Sequence, residues 1–309
     1  IIIFVNYFWG KSNLRHYELS EKKDLDFTIK IISPKININR YFQNENPTEF
    51  LSELINISEP NLSNKTIFIL PEGILSSIYF EDLKKFKKLF SNRFSNKHKI
   101  ILGINIYENK KIYNSLLVLN NELNVLDKYY KNKLVPFGEF LPFEKTFKKI
   151  GLNSLTNNYQ SYSFGQEREI IDLEHQKFSL KILPLICYEI IYSGKLFKDP
   201  DFDVIVNISE DGWFGQSIGP SQHFTHSIFR AIESGKYVLR SANNGVAAII
   251  NPLGIVEQKV SFGQTGYIDF KENRKIQPRI FSKYGNKIFG LLILLYIFLI
   301  FSFNKIKHE

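Results

Sequence analysis

The pattern of apolar and polar positions predicts a chain of alternating strands and helices. Short apolar runs, some of them alternating with polar positions, are typical of strands. They lie at 26–32, 66–70, 100–106, 115–120, 178–183, 204–208, 237–240 and 246–250. Apolar residues at helical spacing predict helices at 47–55, 80–90 and 222–234. Strands and helices in this order, without an internal repeat, indicate a layered α/β domain.

Loop-forming residues separate these elements. Segment 129–142 contains two prolines and a glycine, which stiffen the backbone. Segment 152–166 is polar and rich in Asn, Ser and Tyr, and we expect a mobile loop there. A Gly-rich loop at 211–220 precedes the third helix, and Asn243-Asn244-Gly245 predicts a tight turn between two strands.

The C-terminal segment is apolar throughout. No charged residue occurs among the 16 positions of Ile288–Phe303. Extended to Tyr284 and Asn304, the run has about 21 residues, or roughly 31 Å of helix, which matches the hydrocarbon core of a bilayer. The segment therefore predicts a transmembrane helix at 284–304, and a helix buried in the protein core is the alternative.

The N-terminal residues suggest a second apolar segment. The chain contains no methionine and begins Ile1-Ile2-Ile3-Phe4-Val5. We expect residues 1–9 to be the end of an apolar or transmembrane segment whose beginning is missing. They do not resemble a signal peptide, because a basic n-region and a small-residue cleavage site are not visible.

Composition excludes two classes of protein. The 309 residues, 44% of them hydrophobic, suffice for a large core. A single cysteine rules out an internal disulfide framework. The net charge is +9, but the basic residues are spread along the sequence, whereas a nucleic-acid-binding protein concentrates them on one element. We therefore predict no nucleic-acid partner, while attraction to an anionic membrane surface stays possible.

The single cysteine lies where an apolar run ends. Leu183–Ile186 is apolar, and Cys187 is followed two residues later by Glu189. The end of a strand holds a side chain rigidly while leaving one face open, which suits a nucleophile. A cysteine in an apolar strand is more often a small hydrophobic core residue. This segment alone leaves both interpretations open, because reactivity needs access and a lowered pKa.

Three further segments contain groups that can act with a thiol. Leu70-Pro71-Glu72 puts a carboxylate at the end of an apolar run, although such residues are usually solvated. Lys131 and Glu139 put opposite charges into loop 129–142. A lysine near a thiol lowers the thiol pKa and stabilises an oxyanion, and a glutamate can take the thiol proton. The third segment, Asn207–Gly215, leads from a strand end into a loop.

Two other patterns compete with this site. The motif Gly215-Gln216-Ser217-Ile218-Gly219 matches the G-x-S-x-G of serine hydrolases, which needs a strand directly before the serine and a helix directly after it. Here polar residues 209–212 precede the motif and a proline follows it. His223 and His226 lie at i and i+3 on a predicted helix. No further His or Cys cluster supports a metal, so we predict no metal site and interpret both as surface or packing residues.

Several motifs together resemble those of the apolipoprotein N-acyltransferases, bacterial inner-membrane enzymes of the nitrilase superfamily. The resemblance runs in order from about residue 26 to 270. Its two specific blocks are Leu134–Glu139 and Cys187-Tyr188-Glu189. The other matching pieces are Pro71-Glu72, Tyr113-Asn114-Ser115, Lys131, Phe140-Leu141-Pro142, Asn207-Ile208-Ser209, Asp211–Gly215, Gly219-Pro220, Gln222-His223, Arg230-Ala231, Glu233, Arg240 and Asn243-Asn244-Gly245.

The resemblance implies a fold and a set of site residues. The implied fold is a nitrilase-type α-β-β-α sandwich over residues 26–275, with a C-terminal transmembrane helix after it. Glu72 matches the general base, Lys131 the lysine that stabilises the oxyanion, and Cys187 the nucleophile. The residues that match supporting positions are Glu139, Glu189, Tyr188 and Asn114.

Four positions depart from the usual family pattern. Lys133 stands where the family usually has His, and Leu70 stands where Trp is frequent. Ser33-Pro34-Lys35 replaces a stretch that usually contains Gln, and Glu210 stands where Asn is common. None of these departures removes one of the three matched catalytic residues.

The same resemblance implies acyl transfer in two steps, without a metal or an organic cofactor. Cys187 takes a fatty acyl group from a membrane phospholipid as a thioester, and the N-terminal amine of a diacylglyceryl-cysteine apolipoprotein then accepts it. We expect this chemistry at the bacterial inner membrane, with the catalytic domain on the periplasmic side and residues 305–309 in the cytoplasm. The lysines on both flanks of the apolar run leave the orientation nearly undecided by charge alone.

Two other functional classes are alternatives. The first is a nitrilase-superfamily amidase that acts on a small amide, and the apolar C-terminal segment argues against it because a soluble amidase needs none. The second is a membrane-anchored binding domain without catalysis. The presence of Glu72, Lys131 and Cys187 together argues against that class.

Overall fold

The computed structural model of the protein describes residues 2–37, 39, 46–73, 75, 78–150, 161–194, 196–197 and 200–306. Its strands are β1 (Lys23–Ser33), β2 (Thr66–Ile69), β3 (His98–Glu108), β4 (Lys111–Leu119), β5 (Val125–Tyr130), β6 (Ile171–Asp172), β7 (Lys181–Ile186), β8 (Val204–Glu210), β9 (Tyr237–Asn243), β10 (Ala247–Ile250), β11 (Val256–Val260) and β12 (Gly266–Asn273). Its α-helices are α1 (Ile2–Leu19), α2 (Pro47–Ser58), α3 (Phe80–Leu83), α4 (Lys87–Arg93), α5 (Glu144–Lys149), α6 (Gly219–Ser234), α7 (Ile280–Tyr284) and α8 (Lys287–Ile306). Short 3-10 helices lie at Lys84–Phe86, Glu174–Gln176, Cys187–Ile191 and Asp211–Phe214.

The strands form two sheets with matching internal arrangements. The first sheet has the order β12-β1-β2-β3-β4-β5 and the second the order β11-β10-β9-β8-β7-β6. In each sheet three neighbouring strands are parallel, β1-β2-β3 in the first and β7-β8-β9 in the second. The remaining pairs are antiparallel. Parallel strands bring their carboxyl ends to one edge of a sheet, where the loops that follow them can converge on a site.

Three apolar cores hold the layers together. Ile69 of β2 and Val206 of β8 belong to the core between the two sheets. Leu51 of α2 and Phe68 belong to a second core on the outer face of the first sheet. Ala231 of α6 belongs to a third core on the outer face of the second sheet. The central strands are apolar on both faces because both faces are buried. The α-β-β-α sandwich is therefore confirmed.

The predicted elements are found with some changes of extent. The strand predicted at 178–183 is β7, which begins at Lys181, and the helix predicted at 222–234 is α6, which begins at Gly219. The helix predicted at 80–90 is interrupted by a 3-10 turn at Lys84–Phe86. Asn244 has a φ of 51°, which agrees with the predicted tight turn. Of the loop predicted at 152–166, residues 151–160 lie outside the described residues.

Four strands were not predicted, and all four are edge strands. β12 and β5 form the edges of the first sheet, and β11 and β6 form the edges of the second. One face of an edge strand is commonly open to solvent, so its sequence is more polar and its apolar pattern weaker. β11, for example, reads Val-Glu-Gln-Lys-Val and is mostly exposed. The prediction of loop structure from residue 129 was also wrong for Tyr129 and Tyr130, which belong to β5.

Both ends of the chain are helices with exposed apolar side chains. α1 continues to Leu19, well beyond the apolar segment expected at residues 1–9. Phe289, Leu291 and Phe298 of α8 are each about two-thirds exposed. Among the described residues, no helix is both long enough and apolar enough to cross a membrane. The predicted transmembrane helix at 284–304 is thus unconfirmed, and residues 307–309 of the predicted tail lie outside the described residues.

Candidate active site

A cavity of about 430 Å³ opens at the carboxyl ends of the central strands. Glu72 follows β2, Lys131 follows β5 and Cys187 follows β7, so three distant parts of the sequence meet there. The predicted supporting residues Asn114, Glu139 and Tyr188 also line the cavity. Glu210, Trp213 and Phe214, from the candidate segment Asn207–Gly215, line it as well, and so do Asn105 and Tyr162, which the sequence analysis did not single out.

A hydrogen-bond network orients the two glutamates and the lysine. Lys131 Nζ donates to Glu139 Oε1 at 2.9 Å and to Glu72 Oε1 at 3.3 Å. The amide of Asn114 donates to the same two oxygens, at 2.8 Å and 2.7 Å. The other oxygen of Glu72 accepts the backbone N–H of Glu210 at 3.1 Å. With donors on both oxygens, the Glu72 carboxylate is fixed in one orientation.

Lys131 is a buried ammonium group held between carboxylates. Burial by itself would lower the pKa of Lys131, because it penalises the charged form. The nearby carboxylates of Glu72 and Glu139 more than reverse this effect, and the pKa of Lys131 lies well above its ordinary value. Lys131 therefore stays positively charged and available to stabilise negative charge in the cavity.

A glycine in β3 makes room for Glu72. A Cβ atom on Gly103 would lie 2.6 Å from the Cα of Glu72 and 3.0 Å from the backbone oxygen of Pro71. Real Cβ atoms do not approach backbone this closely, so any other residue would push the Glu72 segment out of place. The position of the predicted base therefore depends on a strand residue 31 positions later in the chain.

Cys187 has a left-handed backbone conformation. Its φ of 48° costs roughly 1–3 kcal/mol in a residue with a Cβ atom, so surrounding contacts must hold it. This turn ends β7 and starts the 3-10 helix Cys187–Ile191. Burial raises the pKa of Cys187 and the Glu72 carboxylate raises it further, against the opposing effect of Lys131. The thiol thus keeps its proton at neutral pH and needs a base to remove it.

Glu189 connects the loop after β5, which contains Lys131, to the turn at Cys187, which we call the cysteine turn. It is fully buried, and its Oε1 accepts the hydroxyl of Tyr129 at 2.6 Å and the backbone N–H groups of Asn132 and Lys133, both at 3.1 Å. Its Oε2 accepts the backbone N–H of Ile186 at 2.9 Å. Arg168 completes the cluster, with its guanidinium 3.1 Å from Oε1. Glu189 does not line the cavity, but it sets the distance between the segments that contain Lys131 and Cys187.

A second buried network lies next to Cys187, the predicted nucleophile. Asp211 accepts hydrogen bonds from Arg240 Nη2 at 2.8 Å and 2.9 Å and from Ser209 at 2.8 Å. His223 bonds to Asp211 through Nδ1 at 2.8 Å and to the carbonyl oxygen of Cys187 through Nε2 at 3.1 Å. This chain of contacts holds the strained Cys187 turn.

The Asp211 carboxyl group stays ionised at neutral pH although it is buried. Burial alone would raise its pKa, but Arg240 and the hydrogen bond from His223 lower the pKa to about 2. Neither Asp211 nor Arg240 was assigned a role from sequence, and His223 was interpreted as a surface or packing residue. His223 is in fact a buried packing residue with specific partners.

The serine motif does not form a catalytic site. Ser217 is exposed, and its hydroxyl donates to the carbonyl oxygen of Phe214 at 2.7 Å and accepts the N–H of Gly219 at 3.0 Å. Both bonds lie within the turn that leads into α6, and β8 ends seven residues before Ser217. The described residues contain no cluster of three or more potential metal ligands.

Tyr162 lines the cavity, although it lies in the segment 152–166 that was predicted to be a mobile loop. The hydroxyl of Tyr162 accepts the amide of Asn105 at 3.0 Å, and its backbone N–H donates to the carbonyl oxygen of Glu139. Burial is the largest effect that raises the pKa of Tyr162, to about 12. The polar composition of segment 152–166 gave no signal for this contact.

The comparison with protein families now decides the classification. A family model described as carbon-nitrogen hydrolase matches residues 69–271. The chain belongs to the carbon-nitrogen hydrolase family. Glu72, Lys131 and Cys187, which line the cavity, all lie within the matched range of this carbon-nitrogen hydrolase domain.

Within the carbon-nitrogen hydrolase family, the chain is similar to proteins named apolipoprotein N-acyltransferase. It is 34% identical over 294 residues to that of Rickettsia prowazekii (strain Madrid E), covering 92% of this chain and 57% of the relative. It is 31% identical over 317 residues to that of Wigglesworthia glossinidia brevipalpis, covering 99% and 61%. The resemblance predicted from motifs is confirmed. The chain spans little more than half the length of these curated relatives.

Solved structures of carbon-nitrogen hydrolases share the fold. An amidase mutant from Nesterenkonia sp. AN1, with the acetamide moiety of fluoroacetamide added covalently at its active-site cysteine, superposes with a TM-score of 0.55 at 12% identity. The match covers 82% of this chain and 93% of the amidase. A CN-hydrolase superfamily protein from Xanthomonas campestris, with an arsenic adduct in its active site, gives 0.53 at 16% identity, covering 80% and 90%. At these identities the comparison shows the fold alone.

Proposed function

We propose that the protein transfers a fatty acyl group from a membrane phospholipid to the N-terminal amine of a diacylglyceryl-cysteine apolipoprotein. The observation that carries this proposal is the cavity lined by Glu72, Lys131 and Cys187, in a chain similar to enzymes named apolipoprotein N-acyltransferase. A buried thiol, a carboxylate and a charged amine are the groups that acyl transfer through a thioester requires.

In the first step the acyl group moves to the protein. Glu72 takes the proton of the Cys187 thiol, and the sulfur attacks the carbonyl carbon of a phospholipid ester. Lys131 stabilises the negative charge that develops on the carbonyl oxygen. The ester C–O bond then breaks, the lysophospholipid leaves as an alcohol with the proton from Glu72, and a thioester remains on Cys187. The raised thiol pKa fits this order, since the proton must be removed at the moment of attack.

In the second step the acyl group moves to the acceptor. The free amine of the lipoprotein cysteine attacks the thioester carbonyl, and Lys131 again faces the oxyanion. The C–S bond breaks, the new amide forms, and the proton lost by the amine returns to the sulfur of Cys187 through Glu72. The residues of the chain thus return to their starting state, as a ping-pong scheme requires.

We further propose that the reaction takes place at the bacterial inner membrane, with the cavity on the periplasmic side. Exposed apolar side chains along α8, and on the first turns of α1, support insertion of these ends into lipid. The segment that leads into α7 and α8 contacts α1, because the guanidinium of Arg279 stacks over the ring of Trp9 at 5.2 Å and bonds to Asn13 of α1. An enzyme inserted in this way meets its lipid substrates at high local concentration.

Mass spectrometry after incubation with phospholipid tests the proposed intermediate. We expect the peptide containing Cys187 to gain the mass of an acyl group in place of hydrogen, and hydroxylamine to remove it. Cys187→Ala should abolish both the adduct and acyl transfer. Ser217→Ala is the matched control and should keep most activity, because the Ser217 hydroxyl bonds only to backbone groups of its own turn.

Two results would contradict this function. Transfer that survives in Cys187→Ala and disappears in Ser217→Ala would exclude the thiol mechanism. Release of ammonia from small amides, without any transfer from phospholipid, would instead favour an amidase.

A further inference from the structure

A second cavity, of about 980 Å³, lies beside the active site at the start of the C-terminal helix. Its walls come from the loop after β5, the loop after the cysteine turn, and the connection between α7 and α8. We call this cavity the basic cleft. The residues that define it here are Lys133, Arg168, Tyr192, Lys283, Tyr284 and Lys287.

The basic cleft has a surplus of positive charge. Lys133, Lys283 and Lys287 are exposed, and within the described residues none of the three forms an ion pair. Arg168 is already engaged by Glu189 and by the carbonyl oxygen of Leu196. Among the lining residues of the described chain, Glu167 is the acid. Three ammonium groups around one cavity favour an anionic ligand that accepts several hydrogen bonds.

The basic cleft and the active site share their dividing wall. Lys131 lines the active-site cavity and Lys133, two residues later, lines the cleft. Tyr188 lines the active-site cavity and Tyr192 lines the cleft, and their rings are in edge contact with centroids 5.5 Å apart. The same loop and the same pair of tyrosine rings therefore separate the two cavities.

The start of α8 is fixed against the active-site loop by two glycines. A Cβ atom on Gly194 would lie 2.7 Å from the Cα of Gly285, and one on Gly285 would lie 2.6 Å from the carbonyl oxygen of Gly194. Both have positive φ, so the close contact and the backbone conformation require glycine. The apolar helix thus begins at the rim of the cleft, with Tyr284 beside it, a residue type that favours the membrane–water interface.

We propose that the basic cleft binds the phosphate of the phospholipid acyl donor and so positions the donor ester over Cys187. The inference rests on the proposed function, which supplies the phospholipid. Lys283, Tyr284 and Lys287 at the start of the apolar helix line the cleft, so a phospholipid whose acyl chains lie along that helix would have its phosphate beside these residues. The cleft adjoins the active-site cavity through their shared wall, which suits a donor whose ester is close to its phosphate. Lys133, where the family usually has His, adds a permanent charge to this site.

The test compares acyl donors with and without phosphate. The triple variant Lys133→Gln/Lys283→Gln/Lys287→Gln is assayed in uncharged detergent micelles with a phospholipid and with a diacylglycerol of the same acyl chains. We expect the ratio of kcat/KM for phospholipid to kcat/KM for diacylglycerol to fall on the order of tenfold, since charge-assisted hydrogen bonds to the phosphate are lost. The single variant Lys133→Arg, in which Lys283 and Lys287 are unchanged, keeps the positive charge. Its ratio should stay close to that of the parent protein.

The matched control removes the same charge elsewhere. Lys97→Gln/Lys177→Gln/Lys271→Gln changes three lysines of a cavity that other strands and loops form, away from the active-site residues, and should leave the ratio as in the parent protein. An unchanged ratio in the cleft variant, or an equal fall in the control, would overturn the proposal.

Binding is measured separately so that the two proposals can fail independently. Native mass spectrometry of the Cys187→Ala protein reports phospholipid binding without any turnover. Loss of phospholipid binding in the cleft variant supports a phosphate-binding site in the basic cleft, even if the parent protein transfers no acyl group. Equal phospholipid binding with and without the three lysines would refute a lipid-phosphate site. Binding of inorganic phosphate that depends on the three lysines, together with phospholipid binding that does not, would show a site for free phosphate and would also overturn the proposal.

Discussion

At the scale of single residues, the chemistry of the cavity depends on the opposed charges around Cys187. Lys131 is held in its charged form by Glu72 and Glu139, although it is buried. Cys187 is held in its protonated form by burial and by Glu72. The resting site therefore contains a neutral thiol, a carboxylate that accepts hydrogen bonds from three neighbours and a fixed positive charge. This distribution suits a nucleophile that is activated only when the ester is bound.

The lysines at positions 131 and 133 test this assignment, because they are close in sequence but differ in environment. Lys131 is buried in the cavity and Lys133 is exposed in the basic cleft. We expect Lys131→Met to lower acyl transfer on the order of 100-fold or more, the effect of removing a positioned oxyanion donor. Lys133→Met should lower it far less. Initial rates of N-acylation measure both, and an equal loss in the two variants would show that the roles within this loop are wrong.

At the scale of secondary-structure elements, the site depends on buried ion pairs that tie strand ends to each other. Glu189 connects the end of β7 to the loop after β5. Asp211, just after β8, connects Arg240 of β9 to His223 of α6, and His223 holds the Cys187 carbonyl. Four elements thus meet at one carboxylate, and the position of the nucleophile follows from their packing.

Asp211→Asn should destabilise the protein, because it leaves the buried guanidinium of Arg240 without its counter-ion. The pKa of Asp211 is lowered from 3.8 to about 2, so its charged form contributes stability, about 2 kcal/mol, that is present above pH 3.8. This contribution is lost as the pH falls toward 2. The difference in unfolding free energy between parent and variant should therefore shrink over that range, as measured by urea unfolding at a series of pH values.

An exposed acid provides the control for this experiment. Asp82 forms a surface ion pair with Lys85, and both side chains are about half exposed or more. Asp82→Asn should change the free energy of unfolding by less than about 1 kcal/mol. A change in Asp211→Asn that is no larger than this would mean that the buried network does not hold the cysteine turn.

At the scale of the whole molecule, the segment that leads into α7 and α8 is held against α1. Arg274 bonds to the carbonyl oxygen of Tyr17 in α1, and Arg279 bonds to Asn13. The contact between Gly194 and Gly285 then fixes the start of α8 beside the active site. Under the proposed membrane location, insertion of α8 and of the first turns of α1 into lipid would hold the active-site cavity near the bilayer surface.

This arrangement predicts the side of the membrane on which the chain ends. If the catalytic domain lies in the periplasm, one crossing by the C-terminal segment puts Glu309 in the cytoplasm. A fluorescent reporter fused after Glu309 should therefore be active, and a phosphatase that works only in the periplasm should be inactive. The reverse pattern would overturn both the topology and the proposed side of the chemistry.

The sequence by itself determined the central strands and the identity of the predicted catalytic residues. Strands such as β2 and β8 are buried on both faces, so their apolar runs are visible without a structure. Glu72 and Cys187 follow such runs directly, and the motif blocks around Lys131 and Cys187 are specific enough to indicate the family. Local sequence was sufficient there because the signal lies in consecutive residues.

Only the tertiary structure decided the contacts around those three, including the buried network of Asp211, which the sequence analysis did not propose. The bonds that join Asp211 to His223 and Arg240, and His223 to Cys187, span 12 to 36 positions of the chain, and no local pattern connects these residues. The edge strands were missed because a polar, half-exposed strand has no strong period. The basic cleft joins lysines at 133 and 283, whose proximity follows from the packing of the C-terminal segment against the active-site loop. Contacts between residues distant in sequence are set by the whole fold, which is the physical reason that local patterns did not predict them.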